Sequence, residues 1–129
     1  MSKKVYTIIL QGETPSKKNS RINTRSGRSF PSKRYTEWHK EAVNLIYALQ
    51  LKGDIEPIAK DKSIMLFITF YHGDKRKRDS DNQLTSIMDT LVDAGILIDD
   101  NWQVVPLTFK ANAYDKDNAR CVVSIEVRE

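Results

Sequence analysis

The stretch Ile64–Ala94, IMLFITFYHGDKRKRDSDNQLTSIMDTLVDA, changes its periodicity halfway along, and that change decides the fold. Ile64–Tyr71 is almost continuously apolar, β-branched or aromatic, the pattern of a central strand or of one buried on both faces. From Asp81 to Ala94 the residues Leu84, Ile87, Met88, Leu91 and Val92 fall at i, i+3, i+4, i+7 and i+8, the template of a helix with one core-facing stripe. Gly95 then offers a helix stop. Between strand and helix lies a basic loop, Gly73–Arg78.

Working outward, Val5–Leu10 reads as a short strand and Tyr35–Leu51 as a helix. That helix carries Trp38, Ala42, Leu45, Ile46 and Leu49 on one stripe and ends at Gly53, Asp54 and Pro57. Two strands close the chain. In the first, Val105, Leu107, Phe109 and Ala111 alternate with Val104, Pro106, Thr108 and Lys110, and Pro106 places it at a sheet edge or a bulge. In the second, Cys121, Val123, Ile125 and Val127 form the inward set. The order β-α-β-α-β-β predicts a single α+β domain over residues 1–129, a small mixed sheet with helices packed on it. Gln11–Lys33 has no apolar periodicity and is expected to be a long basic loop, mobile without a partner.

Composition narrows the function. There is no apolar run long enough for a membrane span and no signal-peptide pattern, so a soluble cytoplasmic protein is expected. The single cysteine, Cys121, excludes an internal disulfide and a multi-cysteine zinc site. The net charge of +4 conceals a division: residues 1–40 carry ten cations against two anions, while residues 41–129 carry eleven against fifteen. A +8 arm on a −4 body suits an anionic partner.

The body's carboxylates cluster in Lys75–Asp100. Four consecutive cations, Lys75, Arg76, Lys77 and Arg78, precede Asp79-Ser80-Asp81-Asn82, and Asp99-Asp100 follows the helix. On an extended segment Asp79 and Asp81 point the same way. If the helix brings Asp99-Asp100 back to them, the result is an all-oxygen site suited to Mg²⁺, with Mn²⁺ as the alternative. The same residues also serve plainer purposes. Ser80-Asp81-Asn82-Gln83 reads as a capping box, and Asp99-Asp100-Asn101 as a turn. The adjacent cation run favours the site, because gathered carboxylates repel one another unless cations offset them. With Lys17, Lys18, Arg21, Arg25 and Arg28 it makes a surface for nucleic-acid phosphates, one that binds without reading sequence. His39, His72 and Cys121 read as structural, and Trp102 as either packing or a stacking platform for an unpaired base.

The pattern Asp79-x-Asp81-Asn82 … Asp89 … Gly95 … Asp99-Asp100 resembles that of the RusA-type Holliday junction resolvases. Pro15-Ser16-Lys17-Lys18-Asn19-Ser20-Arg21 is similar to their N-terminal basic motif. The resemblance implies a homodimeric, Mg²⁺-dependent endonuclease of bacteria and their phages, cutting four-way DNA junctions by paired incisions. It carries catalysis and metal binding to Asp79, Asp81 and Asp100, with Asp89, Asp99, Asn82 and Thr85 around them. Thr85 departs from the pattern, which usually has a lysine there; either Lys75, Lys77, Arg78 or Lys110 supplies the missing charge from another direction, or catalysis is weakened. Two other readings compete with the nuclease: a non-catalytic binder of branched DNA, and a small phage interaction protein.

Overall fold

The computed structural model describes residues 4–16, 21–23, 25, 27 and 29–128. Its elements are β1 (Lys4–Gln11), β2 (Arg21–Asn23), β3 (Ser29–Pro31), α1 (Lys33–Leu51), β4 (Ser63–His72), α2 (Ser80–Asp93), β5 (Leu107–Tyr114) and β6 (Arg120–Arg128). The expected β-α-β-α-β-β order is present. What the sequence reading missed is the two-stranded ribbon β2–β3 inside the segment expected to be a loop. Strands of three residues are too short to show an alternation.

The main sheet has the order β1-β6-β4-β5. β1 and β4 both run antiparallel to β6, and β4 and β5 form the parallel pair, joined through α2. β4 is therefore central, as its composition predicts, but it is not buried on both faces. Ile64, Leu66, Ile68 and Phe70 are buried, whereas Phe67, on the other side, is exposed. The core lies between one face of the sheet and the two helices. There Ile8, Leu10, Cys121, Val123 and Ile125 meet Ala42, Ile46, Ile87 and Leu91. Burial pushes the Cys121 thiol up to about 12, so it behaves as a small core hydrophobe.

β5 begins at Leu107, three residues later than the alternation suggests. Pro106 has no N–H to give to a ladder, and the N–H groups of Val104 and Val105 are already donated to Asn101 O. Gly95 closes α2 as expected. Its φ of +78° is one that side-chain-bearing residues rarely adopt, and Gly95 N and Ile96 N return to Val92 O and Leu91 O.

The buried face of α2 is rotated from the expected stripe. Ile87 and Leu91 are buried, but so are Gln83, Ser86 and Thr90. Each of the three polar side chains has a nearby acceptor. Ser86 Oγ donates to Pro15 O (2.7 Å), Thr90 Oγ1 to Ser86 O (2.8 Å), and Gln83 Nε2 to Thr14 O (2.8 Å). α2 thus fixes the chain at residues 13–15, at the root of the basic arm. No helix among the described residues is long and apolar enough to cross a membrane.

Candidate active site

Asp79 and Asp81 come together at the start of α2, though not as the sequence reading expected. Only Asp79 has extended backbone. It is the N-cap, and its Oδ1 accepts from Asp81 N (3.0 Å) while Oδ2 accepts from Asn82 Nδ2 (3.3 Å). Asp81 stands in the first helical turn with four-fifths of its side chain in solvent. The expected capping box is not used: Asp79 rather than Ser80 caps the helix, and Gln83 turns inward. Two anions at a helix N-terminus are favoured by the exposed N–H groups there.

Asp99 and Asp100 lie in an exposed turn after α2. Asp99 accepts from Asp100 N (2.7 Å) and Asn101 Nδ2 (3.2 Å), and the first of these bonds lowers its carboxyl below the usual range. Among the described residues no three His, Cys, Asp or Glu side chains gather closely enough to hold a metal ion, so Asp100 does not complete a trio with Asp79 and Asp81. Asp89, half-buried on α2, lies close enough to Tyr35 to act on it. Burial first, then Asp89 and Asp93, raise that hydroxyl to about 12. Thr85 Oγ1 is committed to Asp81 O (3.2 Å).

The basic loop is divided in its duties. Arg78 is only 19% exposed, pairing with Asp74 Oδ1 (2.8 Å) and Glu13 Oε1 (3.3 Å). That guanidinium, followed by the N–H of Arg76, holds the Asp74 carboxyl down at about 2. Lys75 lies over the Tyr114 ring, 5.1 Å from its centroid. Arg76 and Lys77 are exposed. In the arm, Arg25 is exposed and Arg21 lies in β2, while Lys17, Lys18 and Arg28 are outside the described residues. Arg34, Lys77 and Arg78 line a cleft of about 230 Å³ that also includes Asp79.

Behind this cleft is a cluster the sequence reading missed. Glu13 accepts from His72 Nδ1 (2.9 Å) and Gln83 Nε2 (2.9 Å) as well as from Arg78, while His72 Nε2 lies 2.9 Å from Asn112 Oδ1. A signal was present: Glu13 is one of only two anions in the first forty residues. Trp102 is exposed and takes no part in the core.

A carboxylate pair stands at a helix N-terminus, beside the cations of the 73–78 loop, on a four-stranded α+β domain. The family model described as Endodeoxyribonuclease RusA matches residues 12–126, and the chain belongs to that family. It is 36% identical over 85 residues to the crossover junction endodeoxyribonuclease RusA of Aquifex aeolicus (strain VF5). That match spans 66% of this chain and 64% of the relative, a little under two thirds of the relative's length. Nucleases of the family are metal-dependent.

Proposed function

We propose that this protein is a Mg²⁺-dependent endonuclease that resolves four-way DNA junctions, hydrolysing one phosphodiester in each of two opposed strands. The observation that carries the reading is the Asp79–Asp81 pair beside the cations of the 73–78 loop, in a chain of the RusA family.

The donor chemistry fits Mg²⁺ (or Mn²⁺). Mg²⁺ keeps much of its water and is bound through one or two carboxylates plus substrate phosphate, so a fully enclosed protein cage is not required. Asp79 and Asp81 would hold it; Asp100, which does not gather with them, would become a third donor only if the turn after α2 moved toward the metal. Bound there, a metal would lower the pKa of water and offset charge on the reacting phosphate. Hydrolysis joins the water oxygen to phosphorus and breaks the P–O3′ bond, and the water proton ends on the 3′ oxygen. Around that step Arg76 and Lys77 offer charge to the flanking phosphates, and Arg34 borders the same cleft. Lys17, Lys18, Arg21, Arg25 and Arg28 would add further cations for DNA phosphates. Asn82 would steady the Asp79 carboxylate, and Asp99 holds the backbone of the turn that carries Asp100.

A labelled synthetic four-way junction should be cut with Mg²⁺ and not with EDTA, while gel-shift binding survives EDTA and weakens steeply as salt rises. Binding without cutting under any divalent metal would leave only a branched-DNA binder. The absence of salt-sensitive binding would favour the protein-interaction reading.

Paired incisions call for a dimer, and the helix-free face of the sheet suits a second copy. The ladder register sets Val5, Glu126, Met65 and Leu107 in one row of that face, then Thr7, Ser124, Phe67 and Phe109. Ile9, Val122, Thr69 and Ala111 make the third row, and Gln11, Arg120, Tyr71 and Ala113 the fourth. Phe67 and Phe109 stack at 5.0 Å with both rings exposed. The charges of these rows, Glu126 and Arg120, occupy opposite ends, and Arg120 is already held by Asp115. A two-fold axis across the strands would lay the Glu126 end of each copy over the Arg120 end of the other, with the Phe67–Phe109 and Ile9–Val122 rows between. Phe109→Glu should turn a dimer into a monomer in sedimentation equilibrium at about 10 µM. A wild type that sediments as a monomer at that concentration would remove this interface.

A further inference from the structure

We infer that Lys110, on the edge strand β5, is the catalytic cation of this site, contacting the scissile phosphate and stabilising the charge that develops on it. The inference deepens the nuclease reading and rests on it.

Four cations compete for the role, and their surroundings separate them. Arg78 is engaged by Asp74 and Glu13 on the inner side of the loop. Lys75 lies over Tyr114. Lys77 is exposed on the loop. Lys110 alone of the four ion-pairs with the site itself, its Nζ meeting Asp81 Oδ1. It reaches there because β5 turns one row of its side chains toward the start of α2. In that row Lys110 meets Asp81, Asn112 meets His72 Nε2, and Tyr114 lies under Lys75. The β5 backbone is an exposed edge, yet the Lys110 side chain keeps only 26% of its surface in solvent, against 84% for Arg76. The Lys110 stem is thus largely covered and its ammonium rests against the Asp81 carboxylate.

The chemistry needs such a group. Two adjacent carboxylates repel a phosphate, and attack on phosphorus spreads negative charge over its oxygens. An ammonium has three donors; Asp81 accepts from one, and the others are available to a phosphate oxygen docked alongside. Thr85, one turn along α2 from Asp81, does not compete, because its hydroxyl is spent on Asp81 O and brings no charge. The cation therefore arrives from the sheet instead of from the helix.

The test uses single-turnover cleavage of the labelled junction across a Mn²⁺ titration, with binding read separately by gel shift in EDTA. Lys110→Gln should lower the rate at saturating metal by about 10²–10³-fold. Junction affinity and the Mn²⁺ midpoint should each move less than about 3-fold, since one contact among many phosphate contacts is lost. Lys110→Arg should retain part of the rate. Thr85→Lys added to Lys110→Gln should recover at least about 10-fold, by bringing an ammonium to the same carboxylate from the next helical turn. A shifted Mn²⁺ midpoint with the saturating rate intact would overturn the inference, reducing Lys110 to a residue that positions Asp81. So would a Lys110→Gln protein that cuts within about 3-fold of wild type. A wild type that never cuts sinks the nuclease reading and this inference together, whereas the other two outcomes sink only Lys110.

Discussion

Asp81→Asn should leave a protein that binds four-way junctions as well as the wild type and cuts them on the order of 10³-fold more slowly. Losing a group that merely orients a metal ligand costs about 10–100-fold, so losing a ligand itself should exceed that. The substitution keeps the size and shape of the side chain but replaces a hard anionic oxygen with an amide. Folding should barely notice. The side chain is four-fifths exposed, its pairing with Lys110 is a surface contact worth at most about 1 kcal/mol, and the helix N-terminus loses a few tenths of a kcal/mol. The backbone contact that ties the two aspartates runs from Asp81 N to the Asp79 side chain, so the variant keeps it. Removing an anion from a phosphate-facing site should, if anything, tighten DNA binding. Single-turnover rates and gel shifts on the same preparation separate the two effects. Equal cleavage by Asp81→Asn and wild type would show that the chemistry is elsewhere.

The parts of this protein that were legible in its sequence are those fixed by local periodicity. The strand at 64–71 and the helix after it announced themselves because alternation and the 3.6-residue stripe are properties of neighbouring residues. Pro106 foretold an edge strand and Gly95 a helix end, each through a single backbone constraint. Asp79 and Asp81 were legible as a pair because one helix start holds both. What escaped depends on residues far apart in the chain. Gln83 and Ser86 look like part of a solvent face until residues 14 and 15 arrive as acceptors. Likewise Lys110 is one of several cations until the β4–β5 register sets it opposite Ile68 and alongside α2. The helix-free sheet face was hidden in the same way. Phe67 belongs to a run that reads as wholly buried, and only the placement of both helices on one side leaves it facing out.

Glu13 illustrates the same point energetically, and it should prove to be the polar residue on which the site's framework depends most. Its carboxylate, 14% exposed, is the meeting point of three elements: His72 from the end of β4, Arg78 from the basic loop and Gln83 from α2. Glu13→Ala would strand the Arg78 guanidinium and a histidine N–H in a partly closed space. Deleting one partner of such a network costs more than the network itself contributes, because the groups left behind lose both water and partner. A loss of about 2–4 kcal/mol is expected, which for a domain of this size lowers the melting temperature by roughly 10 °C. Glu13→Gln keeps an acceptor for His72 and should fall between the two, since it gives up the charge opposite Arg78. Cleavage should decline too, even where the variant is fully folded. The loop between His72 and Asp79 is anchored at both ends through this carboxylate, and small displacements of catalytic groups are costly. Thermal melts by circular dichroism and cleavage rates at 20 °C would measure the two effects separately. If Glu13→Ala melts within about 2 °C of wild type, the cluster is a solvated contact, and Asp79 is held by its helix cap alone.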